Sequence, residues 1–305
     1  MIQPKRPIQR IACVGEVMIE LIAKPDGSAR LGVAGDTFNT AVYLARALRG
    51  TDISTSYVTA LGTDPYSDRI MAEVKSHGLN DALIERRDGA MPGLYAIDTD
   101  AAGERSFSYW RSASAARQMF SGTGLTLNAL NAFDLVYLSG ISVAILPPPV
   151  RAAILDWADE FRATGGTLSY DSNHRPRLWE DAATARAASE QMWRRTDIAL
   201  PSADDEQDLF GDPNADAVAH RLRGWGVRFG ALKRGPDGPL DLSAQHRFTP
   251  PNDAVTVVDT TAAGDSFNAA YLAAIARGED GARAMADGHA LACRVIGAPG
   301  AILPD

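Results

Sequence analysis

Three observations predict an α/β fold with a mostly parallel central sheet and a small β flap. Short apolar runs alternate with amphipathic helical segments along most of the 305 residues, the pattern of strands buried between two helix layers. Two stretches, residues 20–33 and 93–111, break that rhythm with extended, alternating segments such as LYAIDTD and RSFSYWR. Near the C-terminus, a β-branched run (VTVV from Val255) passes through a turn of small residues into a long apolar helical segment.

Residues 11–15 (IACVG) read as a buried strand. Residues 37–49 read as a helix, with Phe38, Val42, Leu44, Ala45 and Leu48 near helical spacing. Residues 57–61 (YVTAL) are the next strand and residues 68–77 the next helix. Residues 135–138 (LVYL) form a strand ended by Ser139 and Gly140, and residues 149–163 a helix whose first turn tolerates proline. Residues 167–171, 198–200 and 230–232 are further strands, and residues 255–258 close the series. The helix after them carries Phe267, Ala270, Tyr271, Ala274 and Ile275 on one face and stops at Arg277 and Gly278. The two irregular stretches are expected as antiparallel strands outside the main sheet, turning at Asp26-Gly27 and Ala102-Gly103. No Pro-, Gly- or Ser-rich linker separates two halves, so residues 1–305 read as a single domain with lid strands at about 18–34 and 93–111.

Hydrophobic residues make up 46% of the chain and charged residues 22%, which excludes a disordered or collagen-like chain. A net charge of −8 argues against a nucleic-acid binder but leaves room for local handling of phosphate. No apolar run approaches the roughly 18 residues of a membrane span. Cys13 and Cys293 are far apart and lack a CxxC partner, so reduced thiols in a cytoplasmic protein are expected. The five histidines show no metal-ligand spacing.

The turn of small residues carries the chemistry. Ala262, Ala263 and Gly264 let an anion approach the unsatisfied N–H groups of a helix N-terminus, and the helix dipole adds to the attraction. Asp265 falls in the first turn, where the dipole favours its ionised form. A carboxylate there suits accepting a proton from an attacking hydroxyl; capping the helix is the alternative. Neither GxxxxGK[ST] nor a GxGxxG after the first strand is present.

The segment DTTAAGDSF (259–267) resembles the C-terminal DTxGAGD signature of PfkB or ribokinase-like sugar kinases, with Ala262 where most members carry glycine. Alanine donates the same backbone N–H but restricts positive φ. The AAGDSF form is similar to the subgroup acting on the sugar acid 2-keto-3-deoxygluconate. Further segments match in order along the whole chain: GEVMIEL from Gly15, AGDTFNTA from Ala34, YVTALGTD from Tyr57, PGLY from Pro92, GER from Gly103, YWR from Tyr109, YLSGIS from Tyr137 and DSNHRPRLW from Asp171.

The resemblance implies a ribokinase-like three-layer sandwich whose β flap covers the substrate. It implies an ATP-dependent kinase that phosphorylates the terminal hydroxyl of 2-keto-3-deoxygluconate, with Mg2+; a monovalent cation and a homo-oligomer stay open. Gly35, Asp36 and Asn39 would bind substrate hydroxyls; an N-cap for Asp36 and an ordinary helix residue for Asn39 are the alternatives. Gly35 suits close backbone approach. Tyr95, Tyr109, Arg111, Asn173 and Arg175 would hold the rest of the substrate. Tyr109 and Arg111 lie two apart on one strand face, and an arginine fork matches a carboxylate; a plain surface arginine is the alternative for Arg111 and Arg175.

Lys233, Arg234, Gly235 and Gly238 resemble the family's KxGxxG nucleotide loop, and also read as a plain turn. Ser202 falls where the family's NxxE segment begins, and Asp205 where its acid acts on metal through water. Compensation of the helix dipole is the alternative for that acidic run. His289 would lie near the adenine. Rival readings are a kinase for a neutral sugar or nucleoside, against which the paired arginines speak, and a non-catalytic sugar sensor, against which Asp265 and its loop speak.

Overall fold

β1 (Arg10–Val14) sits mid-sheet because its side chains are apolar on both faces. It pairs in parallel with β4 (Ser54–Leu61) and with β8 (Leu135–Ser139). β9 (Thr167–Asp171) and β10 (Ile198–Ala199) extend the sheet beyond β8, and β5 (Ile84–Arg86) extends it beyond β4, all in parallel. The order is β10-β9-β8-β1-β4-β5. The computed structural model describes residues 5–24, 26–99, 105–122, 124–251 and 255–305.

Because strand side chains alternate, Ile11 and Cys13 face one helix layer, and Ala12 and Val14 face the other. The first layer holds α1 (Asp36–Ala47), α2 (Pro65–Ser76), α8 (Ala263–Ala276) and α9 (Gly281–Ile296). The second holds α3 (Gly140–Ala144), α4 (Pro148–Ala163), α5 (Ala182–Trp193), α6 (Ala203–Phe210) and α7 (Ala215–Gly224). This is the expected sandwich of helices on both faces of a mostly parallel sheet. α2 begins earlier than its apolar spacing suggests, because Asp64 accepts from the amides of Tyr66 and Ser67 and Pro65 fits the first helical position. α8 is buried from Asp265 through Ile275, so the expected single apolar face is instead a helix enclosed all round.

A separate sheet of order β3-β2-β6-β7 contains β2 (Met18–Ala23), β3 (Ala29–Ala34), β6 (Gly93–Thr99) and β7 (Arg105–Trp110). The two hairpins are antiparallel as expected, but β2 and β6 join them in parallel. The expected turn at Ala102-Gly103 lies outside the described residues. Met18, Ala34, Tyr95 and Ile97 of this sheet cluster with Ala301, and Ala262 packs against them.

Two expectations at the far edge change. β11 (Ala231–Leu232) pairs antiparallel with β12 (Leu240–Asp241) and meets the main sheet through isolated bridges at Ala199–Gly230 and Ser202–Lys233. Residues 255–258 form no strand and are exposed; their β-branched side chains favour a pleated surface only where a neighbouring strand supplies one. Cys13 is buried, and both cysteines are free. Among the described residues no helix is long and apolar enough to cross a membrane.

Gly140 follows β8 where the chain of β9 crosses, and a Cβ there would meet the Ser172 carbonyl oxygen at 1.9 Å. Gly140→Ala is therefore expected to lower stability by about 1–3 kcal/mol, an overpacking cost. Urea unfolding checks this: the midpoint should fall with the slope unchanged.

Candidate active site

The C-terminal ends of β1, β8 and β9 meet the N-termini of α1 and α8, and ligands of open α/β sheets bind at that edge. Gly35 is the N-cap of α1. Its missing side chain is a steric requirement, since a Cβ would stand 2.3 Å from the Glu16 carbonyl oxygen. Asn39 accepts weakly from the Gly35 amide at 3.5 Å and donates through Nδ2 to Asp265 Oδ2 at 2.8 Å. It is thus no ordinary helix residue. Asp36 does not cap the helix. Its carboxylate accepts from the Ser139 hydroxyl and from Asn173 Nδ2, the latter at 2.8 Å. Asn173 reaches it from a backbone at φ 29°, a region asparagine tolerates. Burial pushes the Asp36 carboxyl up, and the Asp171 charge adds to the push.

α8 begins at a left-handed residue, Ala262, with φ 60° and ψ 16°. The Ala263 amide turns back to the Thr260 carbonyl at 3.2 Å. The amides of Gly264 and Asp265 find no acceptor among the described residues, as expected of a helix's first N–H groups. Of the four amides from Ala262 to Asp265, one is thus already engaged. Asp265 itself is buried, and its carboxyl is pushed up to about 8. Burial is the main cause, the Asp36 charge and then Asp171 reinforce it, and the Asn39 hydrogen bond and Lys233 oppose it. The expectation of a carboxylate ionised at neutral pH is corrected here: desolvation outweighs the helix dipole.

Lys233 points into this network and away from its own turn. Its ammonium donates to Asp171 Oδ1 at 2.9 Å and to Asn268 Oδ1 at 3.0 Å. Asn268 Nδ2 donates in turn to Asp171 Oδ2 at 2.8 Å and to the Tyr137 hydroxyl at 3.0 Å. Asp171, Asn268, Tyr137 and Ser139 escaped the sequence reading as site residues. One signal was available for Asn268: it lies three residues after Asp265, on the same side of an apolar helix. Arg234 closes its own turn onto the carbonyls of Gly238 and Asp237 at 2.9 and 3.0 Å. Gly235 and Gly238 adopt φ of 56° and 72°, which the turn requires.

The two arginines differ. Arg111 is buried in an ion pair with Glu16, which is only 1% exposed. It is therefore neither a surface arginine nor an uncommitted cation. Arg175 lies at the surface, donating to the His174 carbonyl at 2.7 Å and standing 3.5 Å from Asp205. Tyr109 is half exposed, its ring 5.9 Å from that of Tyr95; the Tyr95 hydroxyl donates to Glu20 at 2.5 Å. Asp205 accepts from the Ser172 hydroxyl and the His174 amide, both at 3.2 Å, and burial pushes its carboxyl up. Ser202 is the N-cap of α6, with its amide on the Ser172 hydroxyl at 2.9 Å. The described contacts of His289 are with Phe248 and Cys293, on α9 and its flank. No cluster of three or more His, Cys, Asp or Glu side chains among the described residues could hold a metal ion. A cavity of about 550 Å3, lined by Ile8, Ile53 and Gly278 among others, opens at the opposite end of α8.

Residues 8–305 match the pfkB family of carbohydrate kinases. The chain is 43% identical to a 2-dehydro-3-deoxygluconokinase of Dickeya dadantii, over 97% of each chain. It is 39% identical to a 2-dehydro-3-deoxygluconokinase of Escherichia coli K12, again over 97% of each. Its fold is similar to that of a putative ribokinase II of E. coli (TM-score 0.83, 22% identity, covering 96% and 94% of the two chains). It is also similar to that of a fructokinase of Xylella fastidiosa with bound ATP (TM-score 0.81, 21% identity, 96% and 94%). With the family match spanning nearly its whole length, the chain belongs to the pfkB family of carbohydrate kinases.

Proposed function

We propose that this kinase transfers the γ-phosphoryl group of ATP to the terminal hydroxyl of 2-keto-3-deoxygluconate, with Asp265 as general base. The observation that carries the reaction is the meeting of a buried carboxyl, Asp265, with the unengaged amides of Gly264 and Asp265 at the start of α8. The 43% identity to the Dickeya enzyme supports the substrate.

In this reading Asp265 accepts the proton of the attacking hydroxyl, oriented by Asn39. The two amides stabilise charge on the phosphoryl group in transfer, where positioning and electrostatics dominate. Asp36 and Asn173, already hydrogen-bonded to each other, exchange part of that bonding for substrate hydroxyls, while Gly35 keeps the backbone close. Arg175 and Arg111 face the carboxylate end, with Tyr95 and Tyr109 on the small sheet, which acts as a lid. Ser202, Gly235 and Gly238 take the nucleotide side. Mg2+ usually keeps several waters and rests on one or two carboxylates plus substrate phosphates. No closed protein cage for a metal exists among the described residues, and Asp205 would hold the ion through water. When bound, the ion neutralises phosphate charge. We place the enzyme in the cytoplasm, where ATP is at hand and its two thiols stay reduced.

Three outcomes are expected. First, kcat/KM, which reports groups of the free enzyme, should rise with pH through an apparent pKa near 8, the value at Asp265. Asp265→Asn should lower kcat by roughly 10²–10⁴. A flat profile between pH 6 and 9, or near-normal turnover in the variant, would remove Asp265 from the proton transfer.

Second, an aspartate raised from about 3.9 when unfolded to about 8 when folded keeps a proton that the unfolded chain releases. Stability therefore falls as pH rises through that window. Asp265→Asn escapes this loss, so its melting temperature should exceed the parent's increasingly from pH 4 to 8, and by a constant margin above. Paired thermal melts at pH 5 and 9 check the sign.

Third, Arg175→Ala should raise KM for the sugar acid about 10–100-fold, the loss of a charge-assisted bond, with KM for ATP little changed. Arg111→Ala should also weaken sugar-acid binding but destabilise the fold, because it strands Glu16. Steady-state kinetics across both keto-deoxy epimers and several neutral sugars give the substrate class. Equal use of neutral sugars would favour the rival kinase.

A further inference from the structure

We propose that Lys233 is a catalytic cation that contacts the phosphoryl group during transfer. The proposal rests on the reading that this group lies at the start of α8.

A lysine ammonium has three N–H donors. Asp171 and Asn268 take two of them at 2.9 and 3.0 Å. The third has no acceptor among the described residues. The ammonium sits against the loop: a Cβ placed on Gly264 would lie 3.6 Å from Lys233 Nζ. The ammonium thus stands beside Gly264, whose amide is unengaged among the described residues. Asn268 stands on α8 itself, so its bond to Lys233 ties the cation to the helix that presents that amide.

The charges around Lys233 make its role specific. Asp171 from β9, Asp205 from α6, Asp265 from α8 and Asp36 from α1 supply four carboxyls to this region. Arg111 is occupied by Glu16, and Arg175 stands at the surface against Asp205. A polyanionic phosphate arriving at the loop would meet mostly carboxyls, and Lys233, its side chain 10% exposed, is a cation placed to offset them. A cation fixed in a site of low dielectric acts strongly on charge that develops during reaction.

The competing role is structural. Lys233 could serve only to neutralise buried Asp171, because a buried charge without its partner is strongly destabilising. The two roles separate in a double variant. Lys233→Met removes the cation and strands Asp171; adding Asp171→Asn removes the stranded charge. The full-length protein would be assayed with whichever sugar the parent turns over, so a wrong substrate assignment does not bear on the result. Affinity for ADP alone and for ADP with aluminium fluoride, a mimic of the migrating phosphoryl group, would be measured in parallel.

The proposal expects the double variant to melt near the parent while kcat stays roughly 10²–10³-fold low, the range for loss of one oxyanion donor. Its ADP affinity should stay within about threefold, while the extra affinity for the aluminium fluoride complex falls at least tenfold. Lys233→Arg, which keeps the charge, should recover part of both losses. Recovery of parental kcat in the double variant would overturn the proposal. An unchanged ratio of the two affinities in either Lys233→Met or the double variant would overturn it too. Parental Asp265 behaviour with an unaltered Lys233→Met ratio would reject this inference while leaving the proposed base intact.

Discussion

The bond from Asn39 to Asp265 joins the first turns of two helices that are 226 residues apart in sequence. Everything at the sheet edge is arranged around it. α1 brings Gly35 and Asp36 to the end of β1, and α8 brings the left-handed turn at Ala262. The hydroxyl of Thr40 adds a second tie, at 3.3 Å to the Asp265 carbonyl. Two positive helix ends therefore converge on one carboxyl, and their shared field is directed where an anion would sit.

Convergence of that kind gathers acids as well as amides. The charges of Asp36 and Asp171 raise the affinity of Asp265 for its proton, and Asp171 does the same to Asp36, on top of the larger effect of burial. Such a cluster is tolerable only when its lone pairs are satisfied. Ser139, Asn173, Asn39, Asn268 and Lys233 do that, each from a different stretch of chain. These groups fix the positions of the carboxyls, and the carboxyls in turn hold the ends of β8, β9 and both helices together. Fold and site share one set of hydrogen bonds.

The strands β1, β4, β8 and β9 were readable because full burial demands continuous apolar runs. The paired hairpins of the small sheet were readable from alternation. Residues 255–258 misled for the same reason: their composition suits a strand, yet among the described residues no strand lies alongside. The turn at 262–265 was legible as a helix start because small residues followed by an apolar helical run have a local physical meaning. Its electrostatics were not, since the groups that raise Asp265 are distant in sequence. Lys233 meets Asp171 across 62 residues, and Glu16 meets Arg111 across 95. A basic residue in a turn and a basic residue after a strand look alike until their partners are known.

Ala262 shows what one methyl group changes. An L-residue held left-handed carries a standing strain of roughly 1–2 kcal/mol, and this methyl rests on the hydrophobic cluster beneath the small sheet. Glycine would explore more backbone states there and forfeit them whenever a bound anion ordered the loop. With alanine most of that freedom is surrendered once, during folding. The backbone at the head of α8 is consequently set in advance, and the range of shapes this turn can adopt is narrowed.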